Sequence, residues 1–215
     1  MRAANGCGLV LQGVTISLSQ QTLIDNLNLA IAPGKVATVM GPSGSGKSSL
    51  LAFVAGFLDQ TSFSATGTIR LDGRDVTALP PEKRRIGLLF QDDLLFPHLT
   101  VAGNLLFGVP AATGRSAREE LVNQALAEAG LSGFGERDPA TLSGGQKARV
   151  ALMRVLLSQP HALLLDEAFA KLDTTLRGAF RAMVFASARE RGLPVLMVTH
   201  DPDDAAAAGG ELVKL

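Results

Sequence analysis

Apolar residues along this chain follow two alternating rhythms: short unbroken runs and longer stretches of helical period. The run Lys35–Met40 (KVATVM) is β-branched and ends at a glycine-rich segment, which predicts a buried strand. Ala162–Leu165 and Val195–Val198 are runs of the same kind, and Thr68–Leu71 and Ile86–Leu89 are further strand candidates. Lys47–Phe57 predicts a helix that opens directly from the glycine segment. Strands alternating with helices predict an α/β fold with a parallel or mixed sheet. Ahead of them, Leu9–Ser17 and Leu27–Ile31 predict antiparallel strands. From about Val101 to Ser158 the rhythm is helical, in Val101–Leu106, Ala117–Ala129 and Gly145–Leu157. Gly, Pro and Asp residues break it at Gly108–Gly114 and Gly130–Pro139. The expected organisation is one domain over residues 1–215, with a core of about 1–91 and 159–215 and an inserted helical lobe of about 92–158. The tail Asp203–Gly210 predicts a short helix and turn before a last strand, Leu212–Leu215, with no appended regulatory domain.

Composition narrows the function classes. A chain of 215 residues suits one domain whose core needs no covalent staples. Lys plus Arg number 20 and so do Asp plus Glu, and this balance argues against nucleic acid as the main partner. Cys7 is the only cysteine, so no internal disulfide can form and a reducing compartment fits. Met1–Gly6 leads into no long apolar core, so no secretory signal is expected. No uncharged apolar run approaches the ~20 residues that cross a bilayer. The mean hydropathy of +0.24 is high for a soluble domain, and buried parallel strands account for it. A docking surface for a membrane partner would add to it.

The glycine segment carries the chemistry. Gly41-Pro42-Ser43-Gly44-Ser45-Gly46-Lys47-Ser48 follows a predicted strand and opens a predicted helix, the context a phosphate-binding loop requires. Its glycines let backbone N–H groups converge on phosphate oxygens, and the helix N-terminus adds a favourable dipole. Lys47 would reach the β- and γ-phosphates, Ser48 would ligate Mg²⁺, and Ser49 could touch the α-phosphate. The motif leaves kinases, GTPases and ATPases open. Ala162-Leu163-Leu164-Leu165-Asp166-Glu167 narrows them, because an apolar strand delivers Asp166 as a second Mg²⁺ contact. Glu167 would then stand beside the γ-phosphate, able to polarise water. On its own the pair could also be a simple helix cap.

With Leu142-Ser143-Gly144-Gly145-Gln146 added, the order of motifs resembles the ATP-binding-cassette (ABC) ATPases, from about Leu9 to Leu215. The phosphate loop, Gln91 after Gly87–Phe90, the signature Leu142–Gln146, the pair Asp166-Glu167 and His200 after Val195–Thr199 stand in the family's order. Ala170-Lys171-Leu172-Asp173 resembles the family's D-loop, with Asp173 at the nucleotide side. Arg74–Pro81, Arg84–Gly87 and Leu95–Val101 are similar to the small-solute importer branch, and Pro139–Leu157 resembles the YnjD-like transporter ATPases. The resemblance implies a P-loop NTPase core and ATP hydrolysis with Mg²⁺. It implies two cassettes packed head to tail, with Ser143, Gly144, Gly145 and Gln146 meeting the γ-phosphate bound by the other copy. Gln91 would sense Mg²⁺ and the attacking water, and His200 would orient water and Glu167.

The same resemblance implies partners and a location. The apolar cluster Leu94, Leu95, Phe96, Pro97 and Leu99 would meet a transmembrane permease subunit, supplied with solute by a binding protein. The protein would then lie in the cytoplasm, peripheral on the inner face of the cell membrane, with no nucleic acid bound. Local core of the lobe is the plainer reading of the apolar cluster. The sequence departs from the family at Leu18, where an aromatic residue usually stacks on adenine; the chain has no Trp and no Tyr. Ala168 stands where the family commonly has Pro, which loosens the backbone beside Glu167. An exporter or lipid-extrusion ATPase, a non-transport ABC protein and a regulatory ATP-holding module are the competing expectations.

Overall fold

The computed structural model describes residues 8–215; the expectations about Cys7 and about a leader in Met1–Gly6 lie outside the described residues. The strands are β1 (Leu9–Leu18), β2 (Gln21–Ile31), β3 (Val36–Met40), β4 (Phe63–Leu71), β5 (Arg74–Asp75), β6 (Ile86–Leu89), β7 (Ala162–Asp166), β8 (Val195–Thr199) and β9 (Glu211–Lys214). The helices are α1 (Lys47–Ala55), α2 (Pro81–Arg84), α3 (Val101–Gly108), α4 (Arg115–Glu128), α5 (Gly144–Leu157), α6 (Thr174–Glu190) and α7 (Pro202–Ala208). One sheet has the order β2-β1-β4-β5 and the other β6-β7-β8-β3-β9. In the first, β1 runs antiparallel to β2 and to β4. In the second, β3 runs parallel to β8 and β9, and β7 parallel to β8. This mixed α/β architecture is the expected class.

Burial follows the strand types. β1 alternates, turning Leu9, Leu11, Val14 and Ile16 inward, as a sheet covered on one face should. β7 and β8 are buried without a break from Ala162 to Leu165 and from Val195 to Thr199. Each such Leu or Val side chain contributes roughly 1.5–3 kcal/mol when removed from water.

Several elements differ from the expected spans. β2 begins at Gln21, well before Leu27, because its polar residues pair through backbone with Leu18 and Ser17 across a tight turn. β4 likewise begins at Phe63, opposite Leu18. α1 stops at Ala55, two residues early, because Gly56 turns left-handed and returns its N–H to the Ala52 and Phe53 carbonyls. α6 was not expected from the apolar runs. Its Phe180, Val184 and Ala188 are buried at intervals of one helical turn.

Contacts between Cα atoms divide the chain into two compact units. The first comprises the chain up to Leu88, His161–Glu167 and Phe185–Leu215; it holds both sheets apart from the last residue of β6. Its core joins the inward face of β1, β2 and β4 to Leu50, Leu51 and Val54 of α1 and to the central parallel strands. The second comprises Leu89–Pro160 and Ala168–Val184. There α3 packs on α4 and α5, burying Leu105, Leu126 and Leu152.

Candidate active site

The register of the parallel strands gathers the first group of site residues. β3 and β8 are paired with Met40 beside Thr199, and β7 and β8 with Asp166 beside Val198. Their C-terminal ends therefore lie along one edge of the first unit. Gly41 follows Met40, Asp166 and Glu167 finish β7, and His200 follows Thr199.

The phosphate loop leaves β3 and closes into α1. Gly46 stands at the N-cap with φ 92 and no side-chain cap, a conformation that glycine adopts without strain. Its missing Cβ also gives room to Leu23, whose Cβ would otherwise stand 2.9 Å away. Lys47 is only 7% exposed, and its ammonium donates to the carbonyls of Gly41 and Pro42 at 2.8 Å each. Pro42, Ser43, Gly44 and Ser48 are exposed, and Gly41, Ser45 and Ser49 are half-buried. Ser45 Oγ is buried and has no hydrogen-bond partner among the described residues.

Opposite the helix start, Ser48 Oγ donates to Asp166 Oδ1 at 3.1 Å. Burial pushes the Asp166 carboxyl above its ordinary range. The nearby Glu167 carboxylate adds to this, while the Ser48 hydrogen bond and the Lys47 charge oppose it. Glu167 has φ 46, a left-handed conformation rare for a residue with a side chain, and its N–H donates to Val198 O at 3.1 Å. His200 Nδ1 lies 3.1 Å from Glu167 Oε2, the histidine side chain 62% exposed and the glutamate 26%.

The second unit carries the remaining expected residues. Gln91 is exposed just past β6. Ser143 caps α5: its Oγ accepts from Gln146 N at 3.3 Å while Gln146 Oε1 accepts from Ser143 N at 2.9 Å. This reciprocal capping box leaves Ser143 and Gly144 exposed at the helix N-terminus. Gly145 is buried, and a Cβ there would stand 3.1 Å from Leu176. Asp173 Oδ1 accepts from Thr175 N at 3.1 Å and Leu176 N at 3.0 Å, opening α6. Leu94 is 56% exposed and Phe107, unmentioned by the sequence reading, 69% exposed, with Phe96 packed 4.7 Å from the Phe107 ring.

Sequence reasoning missed residues that hold the site from behind. Asp204 is buried in α7, and its Oδ2 accepts from Thr199 Oγ1 at 3.3 Å. Thr199 Oγ1 in turn accepts from Asp201 N at 3.0 Å, so the turn carrying His200 is braced on both sides. The Asp203-Asp204 pair reads in sequence as a helix start only. Arg84 is also buried, and nothing in the run Lys83-Arg84-Arg85 marks which of these cations turns inward. Asn104, buried in α3, accepts from Phe96 N at 2.7 Å and donates to Phe96 O at 3.1 Å. Arg154 of α5 donates to Leu94 O at 2.9 Å, so the apolar segment is held from within the unit. Among the described residues no helix is long and apolar enough to cross a membrane.

Comparison with known proteins places this arrangement in a family. A sequence model described as ABC transporter matches residues 24–170. The chain is 47% identical over 199 residues to the uncharacterized ABC transporter ATP-binding protein YnjD of Escherichia coli K12, covering 93% of this chain and 91% of that protein. It is 40% identical to the thiamine import ATP-binding protein ThiQ of Rhizobium meliloti, over 96% of this chain and 85% of that one. It is 46% identical to the spermidine/putrescine import ATP-binding protein PotA of Frankia alni, over 85% of this chain but only 38% of that longer protein. With its phosphate loop on β3 and its acidic pair on β7, this chain belongs to the ABC transporter family and is an ATP-hydrolysing ATPase of it.

Proposed function

We propose that this chain is the ATPase subunit of an importer of a small solute, working as a head-to-tail pair beneath a separate permease. The importer assignment is supported by the similarity to thiamine and polyamine import ATP-binding proteins. The observation that carries the chemistry is the Glu167–His200 contact of 3.1 Å, beside the Ser48–Asp166 contact of 3.1 Å on the same sheet edge.

The residues present fit a Mg²⁺-bound triphosphate. Ser48 Oγ and Asp166 Oδ1 are hard oxygen donors side by side, the buried Lys47 supplies a cation, and Ser45 Oγ is a buried hydroxyl with an unused bond. Mg²⁺, when bound, neutralises phosphate charge. Ser48 and Asp166 would hold it. Lys47 exchanges its carbonyl partners for the β- and γ-phosphates, whose other oxygens meet the N–H groups of Ser43–Ser49. Glu167 takes the proton of a water as that water attacks the γ-phosphorus and the bond to the β-phosphate oxygen breaks. A proton on His200 Nδ1 holds the Glu167 carboxylate and leaves Nε2 to accept from water. Positioning and charge neutralisation supply most of the catalysis.

Ser143, Gly144, Gly145 and Gln146 complete the site in trans. Their exposed, capped helix N-terminus suits an anion from another molecule, and Asp173 lies with them at the second copy's nucleotide. ATP would therefore close the pair and hydrolysis release it. The exposed Leu94, with Leu95, Phe96, Pro97 and Leu99, would receive the permease, and a solute-binding protein would deliver cargo to it. The subunit would thus be cytoplasmic and peripheral on the inner face of the membrane. The test is ATP hydrolysis by wild type and by Glu167→Gln. Glu167→Gln should bind ATP, dimerise and turn over at least a hundred-fold more slowly; undiminished turnover removes Glu167 from its role. A cysteine at Leu94 should crosslink to a co-expressed permease whose genes adjoin this one. An uncoupled, permease-free ATPase would return the assignment to a non-transport role.

A further inference from the structure

We propose that Arg84 is a positioning residue for the phosphate site: it clamps the last turn of α1 and so sets where Lys47 and Ser48 stand at the first. The inference rests on the reading that Lys47 and Ser48 hold the nucleotide.

Arg84 ends α2 and is 6% exposed. Its guanidinium serves backbone carbonyls from separate segments. Nη1 donates to Phe53 O at 2.8 Å and Val54 O at 2.9 Å, both in the last turn of α1. Nε donates to Leu79 O at 2.7 Å and Nη2 to Thr77 O at 2.5 Å, in the connection from β5 to α2. A helix C-terminus carries partial negative charge and unpaired carbonyls, so a buried cation there is favourable. Burial lowers the pKa of Arg84, yet a guanidinium stays protonated.

Gly56 belongs to the same clamp. It closes α1 with φ 92, and a Cβ there would stand 2.5 Å from Arg84 Nε and 2.8 Å from Cζ. The close approach of the guanidinium to the helix end therefore requires glycine.

The position of this clamp gives it a role in function. α1 has nine residues, a rod of about 13 Å, and no side chain caps its N-terminus. Core packing of Leu50, Leu51 and Val54 holds the rod sideways, and the Arg84 hydrogen bonds add a hold along its axis at the C-terminal end. A slide of the rod moves Lys47 and Ser48 together, away from Asp166, which is fixed on β7. The Ser48–Asp166 contact of 3.1 Å tolerates a few tenths of an ångström, and misplacement of about 1 Å costs on the order of a hundred-fold in rate. Lysine at 84 keeps the charge but cannot present planar donors to carbonyls on several sides.

The test separates positioning from folding. Arg84→Lys, Gly56→Ala and, as a control, the core change Ile69→Val are compared with wild type at a temperature where each is folded by circular dichroism. Unfolded protein lowers apparent kcat in proportion but leaves KM and nucleotide affinity unchanged. The expected result is a KM for ATP raised about ten-fold in Arg84→Lys and Gly56→Ala, with kcat lowered, while Ile69→Val melts earlier at unchanged KM. A KM within two-fold of wild type in either folded clamp variant overturns the proposal; if Arg84→Lys does not fold, Gly56→Ala decides alone. Lys47→Ala is measured alongside by equilibrium ATP binding. Unchanged affinity there overturns the site reading and this proposal with it, whereas lost affinity there with unchanged clamp variants refutes the clamp only.

Discussion

Glu167 combines its proposed chemical task with an unfavourable backbone, and the two can be separated. At φ 46 it is left-handed, a conformation that costs a residue with a Cβ about 1–2 kcal/mol. Glycine escapes that cost but loses more freedom on folding, which reduces its advantage to about 0.5–1 kcal/mol. Glu167→Ala and Glu167→Gly both delete the carboxylate and its 3.1 Å contact with His200, so their difference isolates the backbone. For a chain of 215 residues, ~1 kcal/mol moves Tm by about 2–4 °C. Calorimetry without nucleotide should therefore find Glu167→Gly melting about 1–4 °C above Glu167→Ala. Phosphate release should fall in both by about 10²–10⁴, the range for loss of a general base. An alanine variant that melts at or above the glycine variant would show that Val198 O, which accepts from Glu167 N, does not hold the residue in that conformation. Equal rates in wild type and variants would refute its role as base.

Other expectations follow from neighbouring residues. Burial raises the Asp166 carboxyl, so the folded chain binds its proton more tightly than the unfolded chain. Its contribution to stability is then lost as pH rises from about 4 through the folded pKa, and stays lost above it. Asp166→Asn should flatten that part of the Tm–pH curve, melt higher than wild type at pH 7 and hydrolyse no ATP; a lower Tm at pH 7 would contradict the sign. Leu18 is 39% exposed and aliphatic, so ATP and GTP should bind with comparable affinity by calorimetric titration, and Leu18→Tyr should favour ATP; strong ATP preference in wild type would sink the idea. Asn104→Ala leaves the half-buried Phe96 N–H without its partner and takes one of two donors from the Phe96 carbonyl, which keeps Leu99 N, a loss of about 1–3 kcal/mol. Its Tm should fall by roughly 2–12 °C, with faster hydrogen exchange at the Phe96 amide.

The parts of this protein legible in sequence are those whose pattern and chemistry coincide. Val195–Thr199 reads as a buried strand because every side chain is apolar or small, and His200 reads as its terminus. Gly41–Ser48 is legible because backbone geometry demands glycine at fixed spacing. The outer parts of β2 and β4 were illegible because Gln21, Thr22 and Ser64 join the sheet through backbone pairing, without an apolar pattern. Arg84, Asp204 and Asn104 were illegible for the opposite reason. Each is a polar residue that turns inward to meet backbone or hydroxyl groups outside its own helix, and no local period records such a partner. Phe107 lay one residue past the predicted helix Val101–Leu106; α3 extends through it to Gly108 and leaves its ring exposed.

Together these residues show how the molecule maintains an unfavourable site. Along one sheet edge stand a left-handed glutamate, an aspartate that burial discourages from ionising and a lysine withdrawn onto loop carbonyls. Neither the backbone of Glu167 nor the burial of Asp166 favours the folded state, whereas two hydrogen bonds hold Lys47; a cation at Asp166 would offset the cost there. Behind that edge the strands are buried almost completely, Leu163–Leu165 and Val195–Val198 at 0–1% exposure. The favourable burial is thus concentrated in the strand bodies and the strain at their ends, a few residues apart on the same strands. Such a division lets the edge be selected for binding while the strands fix its geometry, and it predicts that substitutions at the edge will raise Tm more often than they raise activity.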